Sequence, residues 1–252
     1  MSDQSSRGHY SYTVYADPAT ASSFDDRRFG GPIGDLVAST QARVLANFVG
    51  RITDRPILDV GAGTGRASLL FARGGARVTA LDASEEMLAV ARRRADNEAA
   101  RITFVQGDAH ALQFPDRSFD VAVSLRLLMH APDWRRCVAE LCRVADQLVI
   151  LDYPSVRSPA LIESLVRKAL AGMGARTEPY RVLSDGAVSR ALDANGFRIR
   201  SIHRQFVLPI ALHKAVGSAR FTRRSERLLD RAGLLDIFGT PVTIVAERCL
   251  IS

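Results

Sequence analysis

The stretch ILDVGAGTGRAS, residues 57 to 68, decides how the rest of the chain is read. Its apolar start runs through Asp59 to Val60, after which Gly61, Gly63 and Gly65 alternate with Ala62 and Thr64 before a helical pattern opens at Arg66. Glycine is needed where the backbone turns tightly and where a ligand must approach without a Cβ in the way. A strand, a tight turn and a helix therefore meet around a small ligand, although any single glycine could serve the turn alone. The sixth loop position is Arg66, which departs from the dinucleotide fingerprint, and the Lys followed by Ser or Thr of a triphosphate-binding loop is absent. A nucleoside without phosphate suits this loop better than a pyrophosphate.

Outward from the loop, short apolar runs alternate with helical patterns. Strands are predicted at residues 56–60, 77–81, 102–106, 119–124 and 147–151, and helices at 66–73, 85–95, 134–144 and 160–171. Continuous apolar strands joined by helices mark a parallel sheet covered on both faces, so the fold class is α/β and doubly wound. Ser84 and the Pro132-Asp133 pair supply helix starts. Upstream, residues 32–49 read as a helix ending at Gly50, with residues 1–50 forming a cap and residues 51–252 the main domain. Downstream come a helix at 184–195, strands at 197–208 and 241–247, and between them a lid insertion at about 208–238, with a helix at 220–231, expected to roof a lipophilic cavity. In that helix Phe221, Leu228 and Leu229 are expected to face inward and the arginines outward.

Asp82 follows the second strand, where a carboxylate can accept hydrogen bonds from both ribose hydroxyls; an acidic residue merely placed near a helix N-terminus is the alternative. After the third strand, GDAHALQFPDRSFD puts Asp108 and the small Ala109 on the same rim, fitting an adenine edge.

The chain of 252 residues is 47% hydrophobic and 24% charged, a globular balance that excludes disordered and collagen-like classes. The apolar run from Phe206 to Leu212 is interrupted by Pro209 and far too short for a bilayer span, which needs about 20 residues. The opening MSDQSSRGHYSYT lacks the apolar segment of a secretory signal, so a cytoplasmic location is expected. Cys137, Cys142 and Cys249 lack CxxC spacing and are read as structural thiols, and His9, His110, His130, His203 and His213 form no zinc-type cluster. No metal is expected. The net charge of +7 concentrates between Arg204 and Arg231, a patch suited either to a solvated helix face or to an anionic partner.

With these motifs in place, LDVGAGTGRAS, LDAS with Met87 behind it, GDAHALQFPDRSFDVAVS and LVILDYPS, the chain resembles the class I S-adenosylmethionine-dependent methyltransferases over about residues 55 to 155. Within them it resembles the ubiquinone/menaquinone-biosynthesis C-methyltransferase group. The resemblance implies a seven-stranded Rossmann-like sheet whose last strand is antiparallel. It implies S-adenosyl-L-methionine as cofactor, with Asp59, Gly61, Ala62 and Gly63 along the methionine part. Asp82 would hold the ribose, Ala83 and Met87 would flank the adenine, and Asp108 with Ala109 would meet its edge. Ser124 and Leu125 would border the sulfonium and Arg126 the acceptor pocket.

Transfer from an activated sulfonium mainly requires a nucleophile held in line at about 3 Å with water excluded. His130 is the candidate base, since imidazole titrates near pH 6.5; a structural histidine bonded to neighbouring backbone is the alternative. Phe24, Arg28 and Phe29, in SSFDDRRFGG, together with Tyr153 and Phe221, are candidate acceptor contacts. The expected reaction is O- or C-methylation of a phenolic or quinol-like ring on a small, partly apolar acceptor, by a monomer or homodimer. N-methylation of an amine, methylation of RNA or protein, and a cofactor-binding regulatory scaffold are the alternatives. Nucleic acid is disfavoured because no NPPY-like tetrapeptide and no appended RNA-binding module is present.

Overall fold

The computed structural model describes residues 30–172 and 180–249. Within them the elements run α1 (Gly31–Val49), β1 (Pro56–Val60), α2 (Arg66–Arg73), β2 (Arg77–Asp82), α3 (Glu85–Asn97), β3 (Ile102–Gln106), β4 (Phe119–Ser124), α4 (Trp134–Val144) and β5 (Ala145–Tyr153). Then follow α5 (Ala160–Gly172), α6 (Asp185–Asp193), β6 (Phe197–Phe206), α7 (Ile210–Val216), α8 (Ala219–Arg231), α9 (Leu234–Phe238) and β7 (Thr240–Arg248). One seven-stranded sheet has the order β3-β2-β1-β4-β5-β7-β6. The first five strands are parallel, and β7 lies antiparallel between β5 and β6.

The central strands β1, β4 and β5 are largely apolar on both faces because both faces are covered, and alternate residues go to opposite cores. Leu58, Ala122, Val149 and Leu151 join the core under α4 and α6, with Trp134, Leu141, Val188 and Leu192. Their neighbours Ile57, Val121, Val123, Leu148 and Ile150 join the other core with Val44, Leu45 and Phe48 of α1 and Phe71 of α2. Cys137 and Cys142 are buried in α4, where loss of solvation pushes their thiols far above the usual range, so neither is a nucleophile at neutral pH.

Two expectations for the late chain are corrected. The strand expected over 197–208 ends at Phe206, because the Glu226 carboxylate accepts the backbone N–H groups of Val207 (2.7 Å) and Leu208 (3.0 Å) in place of a strand partner. The same carboxylate turns α8 about its axis: Thr222 and Glu226 are its buried residues, while Phe221 is 41% and Leu228 67% exposed. The inward face therefore carries Thr222 and Glu226, with Leu229 half-buried as expected, and α8 packs against α1, α7 and α9. No helix among the described residues is long and apolar enough to cross a membrane.

Candidate functional site

The strand order reverses between β1 and β4, and a cleft opens outside the carboxyl ends of these strands, where open α/β sheets bind ligands. The loop after β1 is fastened to β2 by three hydrogen bonds. Gly61 N–H and Ala62 N–H donate to the Leu81 carbonyl at 2.8 and 3.0 Å. Gly63 N–H donates to Asp82 Oδ2 at 2.7 Å, while Oδ1 accepts from Ser84 N–H at 2.9 Å. Each Asp82 oxygen keeps lone-pair capacity toward the cleft. Ser84 also caps α3 by accepting from Met87 N–H, which holds Met87 against the cleft.

Asp59 receives the Ser68 hydroxyl at 2.6 Å. Burial pushes its carboxyl up to about 6; the Ser68 bond lowers it and the nearby Asp82 charge raises it. Burial likewise raises Asp82, against the lowering effect of the Ser84 and Gly63 N–H groups. Two carboxylates thus face one end of the cleft. A Cβ built on Gly63 would have no atom within 4 Å, so this glycine, at φ +55°, leaves open space on the cleft floor that a side chain would fill.

Of the positions singled out from sequence, Asp59, Gly61, Ala62, Gly63, Asp82 and Ala83 line the cleft. Met87, Ala109, Leu125, Arg126 and His130 line it too. Four positions are placed elsewhere. Asp108 lies beside the lining residues Gly107 and Ala109 without lining the cleft itself, and its Oδ1 meets His110 through both the backbone N–H (2.9 Å) and Nδ1 (2.7 Å). Ser124 is wholly buried at the end of β4, and its hydroxyl has no hydrogen-bond partner among the described residues. Tyr153, 1% exposed, donates its hydroxyl to Asp185 at 2.9 Å and belongs to the core, so it does not reach an acceptor there. Phe221 sits on the outer side of α8. Phe24, Arg28 and Phe29 lie outside the described residues.

The sequence reading missed Gln41, Arg66, His110 and Leu127, all of which line the cleft. The Asp-Ala-His order of residues 108–110 was a usable signal, since an aspartate commonly bonds the backbone two residues on. Nothing in the sequence marks which polar residue of α1 reaches the loop. Among the described residues, no group of three or more His, Cys, Asp or Glu could hold a metal ion.

Residues 57–147 match the family model of a methyltransferase domain. A demethylmenaquinone methyltransferase of Thermus thermophilus is 31% identical over 179 residues, covering 68% of this chain and 76% of that protein. The enzyme of the same name from Renibacterium salmoninarum is 37% identical over 114 residues, a match that spans 44% of this chain and 46% of that one. The chain belongs to the class I S-adenosylmethionine-dependent methyltransferases, in the neighbourhood of the menaquinone-biosynthesis enzymes. The fold agrees. The magnesium protoporphyrin IX methyltransferase of Synechocystis PCC 6803, solved with bound S-adenosylhomocysteine, superposes with a TM-score of 0.64 at 22% identity, over 94% of this chain and 99% of that one.

The methyltransferase uses S-adenosylmethionine as its methyl donor. The cleft fits that group on its own chemistry: acceptor carboxylates at one end, an apolar residue, Met87, beside them, and a floor left open at Gly63.

Proposed function

We propose that the methyltransferase acts on a small, partly apolar acceptor, and that the acceptor is a phenolic or quinol-like ring methylated on carbon or oxygen. The observation that carries this reading is the composition of the cleft wall after β4. Leu125, Leu127, Ala131 and Pro132 give it an apolar surface, and His130 sets one imidazole into it. The kinship with demethylmenaquinone methyltransferases favours a quinol-like ring within that class.

In this reading Asp82 accepts the ribose hydroxyls, Met87 and Ala83 flank the adenine, and Gly61 to Gly63 let the backbone approach the methionine part. When bound, S-adenosylmethionine supplies an electrophilic methyl group on a sulfonium. His130 takes the proton of the acceptor hydroxyl, which raises electron density on the ring. The apolar wall keeps competing water away from the line of attack. For carbon methylation the new C–C bond forms as the S–CH3 bond breaks, the ring hydrogen at the attacked position passes as a proton to water, and His130 returns the hydroxyl proton to the ring oxygen. For oxygen methylation the proton given to His130 completes the balance.

The test is a product assay by mass spectrometry with S-adenosylmethionine and four acceptors: a short-chain demethylmenaquinol, a catechol, a primary amine and total RNA. The expected result is one added methyl group on the demethylmenaquinol or the catechol, reduced about 100-fold or more in His130→Gln. Methylation confined to the amine or to RNA contradicts the assignment of acceptor.

A further inference from the structure

The segment Leu125-Arg126-Leu127 opens the cleft wall on which the acceptor reading depends, and its backbone is in an uncommon conformation. Arg126 has φ +63°, in the left-handed region that a side chain disfavours and glycine does not. That peptide aims everything after it. The Leu127 carbonyl accepts from His130 N–H at 2.9 Å and from Ala131 N–H at 3.0 Å, so the turn at Arg126 sets where His130 stands. On its other side Leu127 lies close against the glycine loop, its Cδ1 only 3.1 Å from where a Cβ on Gly61 would sit. A turn of this kind relaxes unless something outside it holds the peptide.

The holding group comes from the neighbouring strand. Asp152, near the end of β5, lies behind the cleft wall, is 3% exposed and does not line the cleft. Its Oδ1 accepts the Arg126 backbone N–H. Its register partner on β7 is Thr243, and its neighbour Tyr153 is tied to Asp185. Burial pushes the Asp152 carboxyl up to about 7, a cost that an apolar residue at this place would not carry. Neutral or ionised, the carboxyl retains an acceptor oxygen for the Arg126 N–H.

We propose that Asp152 is a positioning residue of the methyltransferase, which through the Arg126 N–H fixes the left-handed turn at Arg126 and with it the wall carrying Leu125, Leu127 and His130. The proposal rests on the reading that the S-adenosyl ligand occupies this cleft. It places Asp152 outside contact with either substrate and gives it an effect on both.

Calorimetric titration with S-adenosylhomocysteine tests it on five proteins: wild type, Asp152→Asn, Asp152→Ala, Arg126→Gly and the double variant Arg126→Gly/Asp152→Ala. Asp152→Asn keeps an acceptor oxygen and is expected to bind within about threefold of wild type. Asp152→Ala is expected to bind about tenfold more weakly, as for a wall in place only about a tenth of the time. In the Arg126→Gly background, where the left-handed turn is open to the backbone unaided, Asp152→Ala is expected to cost less than about threefold. A merely structural role for Asp152 would not be suppressed in this way. Equal costs of Asp152→Ala in the two backgrounds, or no cost in either, overturn the proposal. Should Asp152→Ala fail to fold, recovery of a folded, ligand-binding double variant supports the proposal, and failure of that variant too overturns it. Wild-type protein that does not bind S-adenosylhomocysteine would overturn the reading of the cleft itself, an outcome distinct from any pattern among the variants.

Discussion

Asp59 sits 2% exposed beneath the glycine loop, with one hydroxyl donor and a second carboxylate nearby. In the folded protein it holds its proton up to about pH 6, whereas in the unfolded chain it releases it near 3.8. Between these values the folded state binds more protons than the unfolded state, so raising the pH removes stability. The loss is about 3 kcal/mol by pH 7. Asp152, pushed up to about 7, acts in the same direction over a wider window. Urea unfolding of the ligand-free protein at pH 4 and pH 7.5, compared with Asp59→Asn, isolates the Asp59 share. The variant is expected to be the more stable at pH 7.5 and to lose that advantage toward pH 4; an advantage independent of pH contradicts the burial account. The same carboxylates explain what was legible at this scale. Asp59 and Asp82 could be read because each ends or nearly ends an apolar run. Tyr153 misled because its hydroxyl finds Asp185 across the fold. The pairing of Tyr153 with Asp185 is not written in local pattern.

At the scale of elements, the late helices hang on one buried cluster. Glu226 accepts from Val207 N–H, Leu208 N–H and His213 Nε2, the last at 2.8 Å, and His213 Nδ1 lies 3.0 Å from the Thr222 hydroxyl. His213 is wholly buried and lies tilted against Phe206, at 5.3 Å between ring centroids. The cluster therefore ends β6, starts the turn into α7 and sets which face of α8 points inward. Glu226→Ala leaves three donors without this acceptor and is expected to cost about 3 kcal/mol, a fall in melting temperature of roughly 6 to 12 °C for a chain of this size. Glu226→Gln, which keeps one carbonyl oxygen, is expected to lose clearly less. Thermal unfolding checks both, and an unchanged midpoint in Glu226→Ala contradicts the cluster's role. The helix over 219–231 was legible from its periodicity, but its inward face was not. Hydrophobic spacing favoured Phe221, Leu228 and Leu229, and a polar network reaching from α8 to the end of β6 overrode it for the first two while Leu229 stays half-buried. The arginines Arg223, Arg224 and Arg227 are exposed on the outer side, as the sequence suggested.

For the whole molecule, the fold was legible because a parallel sheet buried on both faces leaves continuous apolar strands, and because the glycine loop marks where the first strand meets the first crossover helix. Strands β1, β3 and β4 have the bounds read from the sequence, as do helices α2 and α4. The lining of the cleft was legible where it is made of strand ends and the loop, and illegible where it depends on side-chain direction, as at Gln41 and Leu127. All these parts meet in one claim: the loop after β1 and the carboxylate ending β2 hold the S-adenosyl ligand at the reversal of the strand order. A crystal structure of the S-adenosylhomocysteine complex tests that claim most directly. It is expected to place both ribose hydroxyls within about 3 Å of the Asp82 carboxylate, with the thioether sulfur facing the wall of Leu125 and His130. A ligand bound elsewhere, or with its ribose away from Asp82, would contradict it.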